Sequence, residues 1–95
     1  MDNAGLLEHL EALAQTLGIP IRYERMEGET TFPSGGLCRI KGNHVIIVNT
    51  SAAAGEKVRT IADALRRFDL SQVYLKPALR DFLEKSDSHP QNSKG

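Results

Sequence analysis

The chain has 95 residues, of which 12 are basic and 12 acidic, with 40% apolar and 25% charged. This balance lacks the positive field that non-specific binding to nucleic acid or anionic lipid draws on, and the apolar share is that of a globular chain, not a disordered one. The opening residues MDNAGLLEHLEALAQTLGIPI hold neither a basic segment nor an uninterrupted apolar stretch, so they predict no signal peptide, no membrane span and a cytoplasmic location.

The length predicts a single α+β domain over residues 1–86, with residues 87–95, in SDSHPQNSKG, as a disordered tail that has nothing to bury. Leu6, Leu7, Leu10, Leu13, Ala14 and Leu17 follow helical spacing, with Asp2 or Asn3 as cap and Gly18 as stop. In IPIRYE, Ile19, Ile21 and Tyr23 alternate with Pro20, Arg22 and Glu24, the pattern of a half-buried strand. Pro20, which cannot donate to a ladder, puts that strand at an edge. Residues 25–34 read as a polar loop broken by Gly28 and Pro33.

GLCRI and HVIIVN then flank Lys41-Gly42-Asn43-His44 as a β-hairpin. A two-residue turn at Gly42-Asn43 sets Ile40 opposite Val45 and Cys38 opposite Ile47, one apolar face that would meet the helices. The other face would carry Lys41 with His44, Arg39 with Ile46 and Leu37 with Val48, and would meet solvent or a partner. Val45 to Val48 are apolar on both faces, which predicts the central strand.

EKVRTIADALRRF sets Val58, Ile61, Ala62, Leu65 and Phe68 on one helical stripe. Arg59, Asp63, Arg66 and Arg67 lie opposite as a solvated face, with Asp63 and Arg67 spaced for an ion pair across one turn. The last helix has Pro77 at its first position and Leu75, Leu79, Phe82 and Leu83 as its apolar side. The fold expected is an N-terminal helix, a three-stranded sheet made of one strand and a hairpin, and two C-terminal helices packed on one sheet face.

The chemistry-bearing residues are few. Cys38 is the single cysteine, which excludes an internal disulfide and suits a reducing compartment. Among Ile40, Ile47 and the helices it would be an inert core thiol. His9, His44, His89 and Cys38 show no metal-ligand spacing, so no metal and no cofactor are expected. Gly35-Gly36 precede a strand, where they cannot deliver a phosphate to a helix N-terminus.

Residues 19–68, a strand, a hairpin ending in VIIVN and a helix containing IADAL, resemble in element order the minimal zincin-like metallopeptidases. Ala62 and Leu65 match apolar positions of that family's A-H-E-L-G-H helix. Asp63 and Arg67 stand where its zinc histidines fall, and Ala64 stands where its catalytic glutamate falls. The resemblance therefore implies a scaffold without the zinc chemistry, which needs two histidines four apart and a carboxylate to activate water. GG-x-C, an apolar strand ending in Asn and FDL…YLKPALR (Phe68 to Arg80) also resemble a group of short bacterial proteins to which no activity is attached.

The sequence thus predicts a non-enzymatic protein that binds another protein or itself, through a surface made of Arg22, Arg39, Lys41, His44, Met26 and Phe32. The competing readings are a metal-binding protein or enzyme using Cys38 and His44, and a nucleic-acid accessory protein. The latter would stack bases on exposed aromatics, of which this chain has few.

Overall fold

Asp2 caps the first helix: its Oδ1 accepts the Gly5 N–H at 2.8 Å, and the helix, α1, then runs Asn3–Leu17. It stops at Gly18, whose φ of 77° is left-handed, and there the Ile19 N–H turns back to the Ala14 carbonyl at 2.9 Å. The computed structural model describes residues 2–25 and 35–86. Met26, Phe32, nearly all of the expected loop and the expected tail therefore lie outside the described residues.

The remaining elements are β1 (Ile21–Glu24), β2 (Gly35–Ile40), β3 (Asn43–Asn49), α2 (Ala54–Leu65) and α3 (Pro77–Ser86). They form an α+β arrangement around a mixed sheet of order β1-β3-β2, with β1 parallel and β2 antiparallel to the central β3. The strand after Pro20 is at an edge and the two-sided apolar strand is in the middle. The ladder extends before β1, through Ile46 N–H to the Pro20 carbonyl at 2.9 Å, and past the end of β3, through Thr50 N–H to the Glu24 carbonyl at 3.0 Å. No helix among the described residues is long and apolar enough to cross a membrane.

The hairpin corrects the expected register. Its two-residue turn is Lys41-Gly42, with φ of 53° and 84°, not Gly42-Asn43. Tight hairpin turns of this kind need positive φ at both central residues and favour glycine at the second, which is where Gly42 sits. Cys38 consequently pairs with Val45, Arg39 with His44 and Leu37 with Ile46.

This slide of two residues leaves the same side chains together on each face, but the face against the helices is the opposite of the one expected. Ile46 and Val48 are both fully buried in a continuous core with Leu6, Leu10, Leu13, Val58, Ile61, Leu65, Leu79 and Leu83, and Leu37 and Ile21 pack against it. Cys38, Ile40, Val45 and Ile47 do not belong to that core. Val45 is buried, Cys38 and Ile47 are half-buried and Ile40 is exposed. The parallel register supplies the reason, since it sets Ile21 beside Ile46 and Tyr23 beside Val48 on the helix side while Arg22 and Glu24 fall beside Ile47 and Asn49 on the other. Packing the helices on that other side would bury both charges.

The second helix begins earlier than its apolar stripe, at Ala54, where the Glu56 carboxylate accepts the Ala53 N–H at 3.4 Å. It ends at Leu65, so Phe68 reaches the core from a turn past the helix. Pro77 opens α3 as its fixed φ predicts.

At Gly35 the strands approach closely: its φ is +109°, and a Cβ there would lie 1.9 Å from the Ile47 carbonyl oxygen. Gly42, also at positive φ, faces open space. Gly35→Ala should cost about 2 kcal/mol or more in urea unfolding and Gly42→Ala about 1 kcal/mol. Equal costs would show that the approach to Ile47 does not constrain the strand.

Candidate functional site

The residues expected to form one interaction surface are divided by the sheet. Arg39 and His44 are cross-strand partners on the helix side, where Arg39 Nη2 lies 3.4 Å from His44 Nε2. The His44 ring stands edge-on to Phe68, with centroids 5.1 Å apart and planes at 88°. Its Nδ1 is buried with no hydrogen-bond partner among the described residues. Lys41 is in the hairpin turn. Arg22 belongs to the opposite face, where it pairs with Glu24 at 2.5 Å.

Cys38 also lies on that opposite face, its thiol directed to the Gly36 carbonyl at 3.9 Å. The sheet therefore stands between Cys38 and His44, and one metal ion or one reacting carbon cannot meet both. Among the described residues no three His, Cys, Asp or Glu side chains converge as a cation site.

The face turned away from the described helices offers instead a row of Cys38, Val45 and Ile47 leading to exposed Ile40, flanked by the Arg22–Glu24 pair. The alternation in each strand groups these residues, and the register aligns the strands, so the row follows from backbone pairing alone.

The acidic–basic arrangement on α2 also departs from expectation. Asp63 pairs with Arg66, three residues on, and not with Arg67. Arg67 lies past the last helical residue and is exposed. Arg66 is not a solvated surface residue: its side chain is 11% exposed and its Nε donates to the Leu83 carbonyl at 3.0 Å, tying the end of α2 to α3. The sequence carried a signal for this, because Arg66 continues the row Val58, Ala62 at intervals of four along the buried stripe.

Beside this tie a cavity of about 240 Å³ opens, with Arg66, Phe68, Leu75, Arg80, Leu83 and Glu84 among its walls. A wider groove of about 580 Å³ runs along the β1 edge, bounded by Ile19, Ile21 and Tyr23 and by Glu11 and Gln15 of α1. Within it the Tyr23 hydroxyl donates to the Glu11 carboxylate. Burial first, then that hydrogen bond and the Glu11 charge, hold the phenol above the ordinary tyrosine range.

Comparison with protein-family models, curated proteins and solved structures gives no match to this chain.

Arg66→Ala should lower stability by about 1–3 kcal/mol, because it removes charged hydrogen bonds at the α2–α3 contact, while Arg67→Ala should stay within about 0.5 kcal/mol. Denaturant titration of both variants decides it, and equal losses would return Arg66 to the solvated face. For Tyr23 the raised value means that the interaction stabilises fully below the ordinary tyrosine range and is lost as pH climbs through the folded value. Glu11→Gln removes the charge and should move the Tyr23 titration downward, followed by ultraviolet difference absorbance; an unmoved titration would leave burial as the whole cause.

Proposed function

We propose that this chain is a non-enzymatic protein that acts by association, and that its first partner is a second copy of itself, docked through the sheet face opposite the helices. The observation that carries this reading is the row of Cys38, Ile40, Val45 and Ile47, which is apolar yet contributes nothing to the core beneath the helices. The flanking Arg22 and Glu24 make the patch self-complementary in charge: under a two-fold axis each arginine can meet the partner's glutamate, and a two-fold places the same patch on both sides of the contact. A chain of this length gains little stability from one core, and covering a second apolar surface would add to it.

The surface replaces the one expected from sequence, keeping Arg22 and giving up Arg39 and His44, which face the helix side. The scaffold reading is of zincin-like element order with Asp63, Ala64 and Arg67 at the positions where that chemistry would be, and of a cytoplasmic setting in which Cys38 stays reduced.

Sedimentation of the full chain over a range of concentrations should show a dimer, and Ile40→Glu, at an exposed position, should convert it to monomer without changing its unfolding midpoint at low concentration. A concentration-independent monomer would overturn self-association. A dimer indifferent to both Ile40→Glu and Arg22→Glu would overturn the choice of face.

A further inference from the structure

We propose that the outer edge of β1 and the groove beside it bind an extended peptide of another protein, one in which a lysine or arginine is followed two residues on by an apolar side chain. The backbone of β1 is the starting point. Its parallel register with β3, closed by Ile46 N–H to the Pro20 carbonyl at 2.9 Å and Thr50 N–H to the Glu24 carbonyl at 3.0 Å, turns the N–H and C=O of Arg22 and Glu24 towards β3. The N–H and C=O of Ile21 and Tyr23 therefore point away from the sheet, and among the described residues they meet no backbone partner. An edge with such a row of free donors and acceptors is a template for one more strand.

Ile21 and Tyr23 also line a groove of about 580 Å³, together with Ile19, Pro20 and, from α1, Glu11 and Gln15. A strand added to β1 alternates its side chains, so those level with Ile21 and Tyr23 fall on the groove side and those between them on the other. Antiparallel pairing sets one residue opposite Tyr23 and, two positions later, another opposite Ile21, each exchanging two hydrogen bonds with its partner.

The walls define these two residues. Ile19, Pro20 and Ile21 are apolar and suit an apolar side chain opposite Ile21. Among the described residues Glu11 is the one charged group that lines the groove. The Tyr23 hydroxyl donates to its carboxylate, so a side chain of tyrosine length starting from this edge reaches Glu11. Lysine and arginine have that length, they bring the opposite charge, and a carboxylate can accept from a second donor beside the tyrosine. A second copy of this chain fits the edge poorly: a two-fold pairing that joins Ile21 to Tyr23 sets the two Arg22 side chains directly opposite each other, and like charges so placed repel. The site is thus separate from the self-association proposed above, whose apolar row lies on the other face.

The test uses the full chain, labelled with nitrogen-15, and a head-to-tail cyclised hairpin peptide of which one strand reads Thr-Lys-Thr-Val-Thr. Cyclisation holds that strand extended beforehand, which removes most of the ordering entropy that opposes binding. In the protein alone the Ile21 and Tyr23 amides should exchange with solvent fast and those of Arg22 and Glu24 slowly. Protection of Ile21 and Tyr23 without peptide would mean that the chain already covers this edge, and would overturn the proposal. On titration the Ile21 and Tyr23 amide signals should shift saturably and become protected. A peptide with glutamate in place of lysine should bind about fivefold weaker or more, and Glu11→Gln should weaken the lysine peptide about threefold, the size of a partly exposed ion pair. Absence of saturable shifts at millimolar peptide, equal affinity for the glutamate peptide, or an unchanged affinity in Glu11→Gln would each overturn the site.

Discussion

The parallel pairing of β1 with β3 decides the rest of this structure. β3 is apolar on both sides, so it can meet a helical layer with either Val45 and Ile47 or Ile46 and Val48. The hairpin alone does not choose, since β2 gives a leucine to one side and a cysteine and an isoleucine to the other. β1 chooses, because its register adds Ile21 and Tyr23 to one face and Arg22 and Glu24 to the other. Four residues at the sheet edge thus settle which side the helices cover, since placing two charges beneath a helical layer would cost several kcal/mol of desolvation. Once the side is chosen, Ile46 and Val48 become the floor of the core and α2 has one orientation in which Val58, Ile61 and Leu65 reach them.

The features controlled by neighbours in the chain could be read from the residues, and those controlled by distant ones could not. Asp2, Gly18 and Pro77 act through hydrogen bonds and dihedral angles within a turn of their own position, and each does what its type predicts. The edge position of β1 follows from one missing N–H at Pro20. The hairpin turn was ambiguous by one residue, because Gly42 fits either central position of a tight turn, and the preference for glycine at the second is a matter of degree. The choice of sheet face was out of reach without strand order, since it needs β1 and β3 to be neighbours and parallel.

The candidate sites divide in the same way. The grouping of Cys38 with Ile40, Val45 and Ile47 depends on alternation alone and survived the change of register, whereas its assignment to the core did not. Arg66 was hidden by its type: an arginine in a run of charges reads as surface, although its place in the row of Val58 and Ala62 sets it at the border of the buried stripe. The guanidinium stays near the protein because a long stem reaches the end of α3, and Leu83 lies 17 residues further along the chain. Only the packing of α3 across α2 brings that carbonyl into reach, and this is tertiary information.

The two halves of the molecule are consequently unequal in what they hold. On the helix side, every large apolar side chain of β3 is consumed by the core, and the polar groups left there, His44 and Arg66, are forced into partly buried positions with one nitrogen each unpartnered among the described residues. His44 is there because its strand partner Arg39 and the Phe68 ring close around it; Arg66 is there because it fastens α3. On the other side the strands keep apolar residues that no helix of the described chain uses. Among the described residues three helices accompany a three-stranded sheet, Cys38, Ile40, Val45 and Ile47 stay outside the core, and the seam between α2 and α3 remains imperfectly filled. The cavity beside Arg66 lies among the helices, and the row of Cys38, Ile40, Val45 and Ile47 lies on the sheet face turned away from Ile46 and Val48.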